Sequence, residues 1–195
     1  MIGDILQSIS KELATYIEKQ TDFASGKKII YLGKPTNSKG ECIIPDNMIS
    51  LSLVNLQEDI SMRSPMIKKR VDGNKVYSQK PGMSFDFTVI FIANFPKDYV
   101  SELNYLTKIM EFFQEKSTFT PQNTKGLEKQ TRYTEELIFK LNSGKIEEQA
   151  PLWNMLGLKY MPSIMYDVGK MIIQEEETLS STRVVQTVEK VIKSK

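Results

Sequence analysis

At 195 residues the chain has the length of one domain and enough material to bury a continuous core without disulfides or metals. Its 26 Lys and Arg against 24 Asp and Glu leave a net charge of +2, too balanced for the broad positive field that binding along a phosphate backbone needs, so no nucleic acid partner is expected. Histidine is absent, which removes the commonest general base and transition-metal ligand together and argues against an enzyme, a metal site or a cofactor site.

The single cysteine, Cys42, has no partner for an intramolecular disulfide, and Ile43 and Ile44 beside it predict a small core residue in a reducing compartment. No apolar run approaches the roughly 18 to 20 residues that a membrane span requires, and the first residues already form an amphipathic pattern containing Asp4. Neither membrane insertion nor classical secretion is expected.

From the start, Ile2, Ile5, Leu6, Ile9, Leu13 and Ile17 recur at threes and fours and predict a helix. "KKIIYLG" and "MISLSLVNL" read as strands, the second with Ile49, Leu51 and Leu53 on one face and Ser50 and Ser52 on the other; "PTNSKGEC" between them is a loop. Residues 57–84 turn polar and charged, with "DGN" at 72–74, flanked by Val71, Val76 and Tyr77, as a hairpin tip. "FDFTVIFIANF" becomes apolar on both faces and predicts the central strand. After Pro96, a helical stripe of Val100, Leu103, Leu106, Ile109, Met110 and Phe113 is expected to be buried. "YTEELIFKL" alternates as a strand, "SGKIEEQAPLWNML" reads as a helix and "PSIMYDVGKMII" as a strand. Last, with Ser180, Ser181 and Thr182 as caps, Val184, Val185, Val188, Val191 and Ile192 share one helical face. The mixed order gives an α+β class: a single domain at 1–172 with a mixed, mainly antiparallel sheet flanked by helices, and a C-terminal tail at 173–195 with an amphipathic helix.

Chemistry is sparse. Carboxylates run together at Glu135 with Glu136, Glu147 with Glu148 and Glu175 to Glu177, but neighbours in sequence do not converge on one substrate atom, so these read as solvated faces. No phosphate loop, dinucleotide fingerprint, calcium loop or zinc spacing is present. "IKKRV" at 67–71 is either solvated or a dock for an acidic surface, and the ten methionines suit irregular cores, Met110 among them.

"MIGDILQSISKELATYI", "SLVNLQED", "FTVIFIANF" followed by "YLTKIMEFFQEKSTFT", and above all "LWNMLGLKYMPSIMYDV" resemble, in that order, the cap proteins of phage-tail-like contractile injection systems. The resemblance runs to about Ile172; the charged stretch 62–80 and the valine-rich tail depart from it. It implies a fold similar to contractile-phage tail terminators and a structural, non-enzymatic role. Such proteins form a homo-hexameric ring on the last layer of inner tube protein, meet the sheath protein and end the growth of both. It also implies assembly in the bacterial cytoplasm and then residence in the particle. An assembly adaptor or chaperone of the same apparatus is the alternative, and an enzyme with a carboxylate site the weaker one.

Within the strongest match, Trp153 and Leu156 are expected to pin a short helix, Gly157 to permit the left-handed turn that stops it and Pro162 to open a strand. That rigid corner, with Tyr160, either closes the core or faces a neighbouring subunit. Val184, Val188 and Val191 on the tail are the second candidate contact, because valine at helical spacing needs a surface to pack on.

Overall fold

The computed structural model describes residues 2–20, 28–60, 68–72, 75–79, 83–130, 136–144, 146–173 and 181–183. The elements in chain order are α1 (Ile2–Gln20), β1 (Ile30–Leu32), β2 (Met48–Glu58), β3 (Lys68–Asp72), β4 (Lys75–Gln79), β5 (Met83–Asn94), α2 (Tyr99–Glu115), β6 (Thr118–Phe119), β7 (Leu137–Leu141), α3 (Ile146–Leu156), β8 (Ser163–Ile173) and β9 (Ser181–Arg183). Six strands form the main sheet in the order β1-β2-β5-β8-β7-β6. Only β1 runs parallel to its neighbour; every other pair in this sheet is antiparallel. The predicted α+β class with a mixed, mainly antiparallel sheet is therefore the observed one.

β5 lies near the centre of this sheet and is covered on both faces, as its two-sided apolar run requires. Val89, Phe91 and Ala93 join Ile49, Leu51, Tyr166 and Val168 under α1 and α2. Ile90 and Ile92 face the other way and pack with Ile44 and Trp153 of the α3 layer. α1 buries Ile5, Leu6, Ile9, Leu13 and Ile17, the stripe read from its spacing. Ser50 and Ser52 pair across β5 with Ile92 and Ile90, so they lie on the α3 side. Their hydroxyls meet at 3.1 Å, and Ser52 donates to the Gly33 carbonyl at 2.6 Å, which satisfies both in a buried place.

Three local expectations are corrected. In α2 the buried residues are Glu102, Leu106, Ile109, Phe112 and Phe113, whereas Val100 is 66%, Leu103 44% and Met110 37% exposed. The apolar arc of this helix is wider than the face the sheet covers, and the seat expected of Met110 belongs to Phe112. Leu53 is 42% exposed because β1 ends opposite Leu51 and a bulge between Leu53 and Asn55 shifts the alternation. Cys42 is exposed in the loop after β1, bridged to Thr36, while Ile44 takes the core position.

The hairpin around "DGN" forms as β3 and β4, closed by Asp72 opposite Lys75. β9 adds to β4 through Lys75 with Arg183, Val76 with Thr182 and Tyr77 with Ser181, giving a second sheet in the order β3-β4-β9. Ser181 and Thr182 are thus strand residues and not helix caps. The chain runs from β2 into β3, from β4 into β5 and from β8 into β9, so the small sheet repeats the β2-β5-β8 order of the main one.

Candidate functional site: a corner and a groove

The corner read from "PLWNMLGLKYMP" is built by backbone bonds at the end of α3. Gly157 has φ +68°, its N–H donates to the Asn154 carbonyl at 3.2 Å, and the Leu158 N–H donates to the Trp153 carbonyl at 3.2 Å. This is the two-bond Schellman stop, which satisfies carbonyls that the last helical turn leaves open. Trp153 is 7% exposed and packs with Ile44, Ile90 and Ile92, with Leu152, Leu156 and Leu158 half-buried against that cluster. Two further bonds clamp the corner: the Thr36 hydroxyl donates to the Leu156 carbonyl at 3.1 Å, and the Pro162 carbonyl accepts from the Ala93 N–H at 3.0 Å, immediately before β8.

The structure therefore brings Trp153, Leu156, Gly157, Tyr160 and Pro162 together as one unit. Its inner half is core. Its outer half presents Tyr160, 71% exposed with its ring edge-on to Trp153 at 5.8 Å, together with Met155 at 65% and Ile43 at 39%. Val184, Val188 and Val191, with the tail helix expected there, lie outside the described residues.

On the opposite layer a groove of about 730 Å³ opens between α1, the end of α2 and the loop after β6. Phe112 and Tyr16 form its apolar part, their rings 5.3 Å apart. Lys11, Lys19 and Lys125 stand exposed on its rim. Glu12, also lining it, is neutralised by Lys116 at 2.5 Å, and the Lys116 ammonium donates in addition to the Asn123 carbonyl at 2.7 Å. The Tyr16 hydroxyl donates to Glu115 at 2.9 Å, and burial followed by that carboxylate raises the phenol's pKa above its ordinary value. Gly126, at φ +96°, allows the loop to press on α1: a Cβ there would stand 2.5 Å from the Ser8 hydroxyl. In the sequence only the apolar stripe of α1 stands out, and not its lysines. The recoverable signal is the line of Ser8, Lys11, Thr15 and Lys19 along one helical face, but Lys125 reaches it only through the fold.

Carboxylates elsewhere have structural work. Asp167 on β8 accepts from Thr88 at 2.7 Å and Asn142 at 2.9 Å, and Glu136 is salt-bridged to Lys170. Among the described residues no group of three or more His, Cys, Asp or Glu is placed to hold a metal ion, and no helix is long and apolar enough to cross a membrane.

Comparison with known proteins gives consistent results. The family profile described as the Pvc16 N-terminal domain matches residues 4–187. The fold is similar to that of the sheath/tube terminator, in the extended state, of the extracellular contractile injection system PVC: TM-score 0.63 and 13% identity, covering 100% of this chain and 64% of that one. It is also similar to the tube-terminating cap of the anti-feeding prophage, with TM-score 0.61 and 9% identity, covering 96% of this chain and 60% of that one. The chain spans less than two thirds of both structures. No curated protein matches.

Proposed function

Because the chain belongs to the Pvc16 N-terminal domain family, we propose that it is a structural terminator of a contractile injection system, seated on the end of the inner tube and ending the growth of tube and sheath. The observation that carries this reading is the family match over residues 4–187, supported by a fold shared with two tube terminators. Six copies form a ring whose one side meets tube protein and whose rim meets sheath protein. The role is geometric and needs no covalent step: the ring presents a surface complementary to the last tube layer and none that templates another. Assembly takes place in the bacterial cytoplasm, and the protein then stays with the particle.

One surface suits this work. The α3–β8 corner has a rigid inner half and an exposed apolar outer half, and reproducible ring contacts need parts that do not deform. Particles from cells lacking this chain are expected to carry tubes and sheaths of irregular length. Cryo-electron microscopy of intact particles should place a six-fold ring of it at the tube end. Uniform lengths without the chain, or density for it elsewhere in the particle, overturn the reading.

A further inference from the structure

We propose that the lysine-rimmed groove between α1, the end of α2 and the loop after β6 receives the acidic segment 175–179 of a second copy of this chain. Lys11, Lys19 and Lys125 on the rim have no ion pair among the described residues, whereas Glu12 beside them is already held by Lys116 and Glu115 by the Tyr16 hydroxyl. Three cations around an apolar floor call for an extended segment with several carboxylates and an apolar anchor. The longest acidic run of the chain has that composition: Glu175, Glu176 and Glu177, then Leu179 two residues further on. Charge meets charge at the rim and Leu179 meets Phe112 and Tyr16.

The described residues on either side of the segment are held in strands, Ile173 opposite Met83 and Ser181 opposite Tyr77. A segment that occupied the groove of its own chain would leave the wild type monomeric at every salt concentration. Groove and segment are different surfaces, so the contact is head-to-tail, the kind that closes rings or grows filaments. Closure into a ring rests on the function proposed above; the contact itself does not.

The test uses full-length chains with both surfaces reversed in separate variants: Lys11→Glu/Lys19→Glu/Lys125→Glu, and Glu175→Lys/Glu176→Lys/Glu177→Lys. Circular dichroism melting checks folding, and sedimentation velocity at about 50 and 500 mM salt reads association; where the groove reversal melts early, Lys→Gln at the same positions replaces it, and loss of its association at low salt is then the readout in place of the mixture. Wild type is expected to self-associate at low salt and at least about ten-fold more weakly at high salt. Each variant alone should associate at least about ten-fold more weakly at low salt, and an equimolar mixture should recover wild-type association, since an acidic groove then meets a basic segment and the reverse. Variants that associate like wild type, a mixture without recovery, or wild type monomeric at every salt concentration overturn the contact. Ring symmetry at the tube end in particles is measured separately, so the terminator reading stands or falls independently.

Discussion

At the residue scale, Gly157 and Trp153 divide the work of the corner. A Cβ at Gly157 would meet only the Gly40 Cα at 4.0 Å, so space is not what selects glycine; φ +68° is. Gly157→Ala should cost about 1 kcal/mol in denaturant unfolding, with Gly157→Asn costing less, because Asn tolerates the left-handed region. Trp153→Ala removes a buried indole from the α3 layer and should cost roughly 3–5 kcal/mol by the same measurement. Tyr166 adds a pH signature. It is 3% exposed beside Phe113, whose ring centroid is 4.4 Å away, and burial pushes its phenol up to about 12. The unfolded chain ionises this group near pH 10, so stability is intact below that and falls as pH rises through 10 to 12. Tyr166→Phe should flatten the fall in melting temperature over that window, and an equal fall in both proteins would refute the assignment. Gly157 and Trp153 were legible in sequence because glycine before a proline-led strand and a lone tryptophan in an apolar run each have few uses. The groove lysines were not, because exposed lysine on a helix is ordinary and only tertiary proximity to Lys125 distinguishes these.

At the element scale, periodicity located helices and strands but could not say how wide a face would be covered. α1 is buried along the stripe its spacing predicts from Ile5 to Ile17, with Ile2 half-buried at its start, whereas the apolar arc of α2 exceeds the sheet surface beneath it, which strands Val100 and Leu103 in solvent. The start of α2 is specified by Asp98, whose carboxylate accepts from the Ser101 N–H at 3.0 Å and its hydroxyl at 2.5 Å. Those bonds hold its pKa below the usual carboxylate value. The cap's contribution is therefore present above pH 4 or so and lost as pH falls through its lowered pKa. Asp98→Ala should lower the melting temperature at neutral pH, Asp98→Asn should recover most of the loss, and the gap between wild type and Asp98→Ala should close in acid. The bulge in β2 is a second feature that alternation hides: one extra residue after Leu53 turns the next side chains over, and nothing in "SLVNLQ" announces it.

At the scale of the whole molecule, the sheet order β1-β2-β5-β8-β7-β6 joins strands far apart in sequence, so a single chain read without partners exposes its elements and not their neighbours. The hairpin at 72–74 was visible because its turn is local; the strand that completes its sheet, β9, comes from about 100 residues later and was read as the approach to a helix. Deleting residues 178–195 removes β9 and none of the described residues of the main core, the last of which is Met171. The expected outcome is an unchanged main melting transition with faster amide exchange over Lys75–Tyr77. A collapse of the whole fold would show that the tail belongs to the core.

The repeated strand order has a mechanical consequence. Since β3, β4 and β9 continue in the chain from β2, β5 and β8, a pull on the small sheet enters the main sheet along three of its four inner strands and not at a free edge. Inter-strand hydrogen bonds run across the strands, so a common pull on these three adjacent strands is resisted in shear at their outer borders with β1 and β7, where bonds are loaded together instead of peeled one by one.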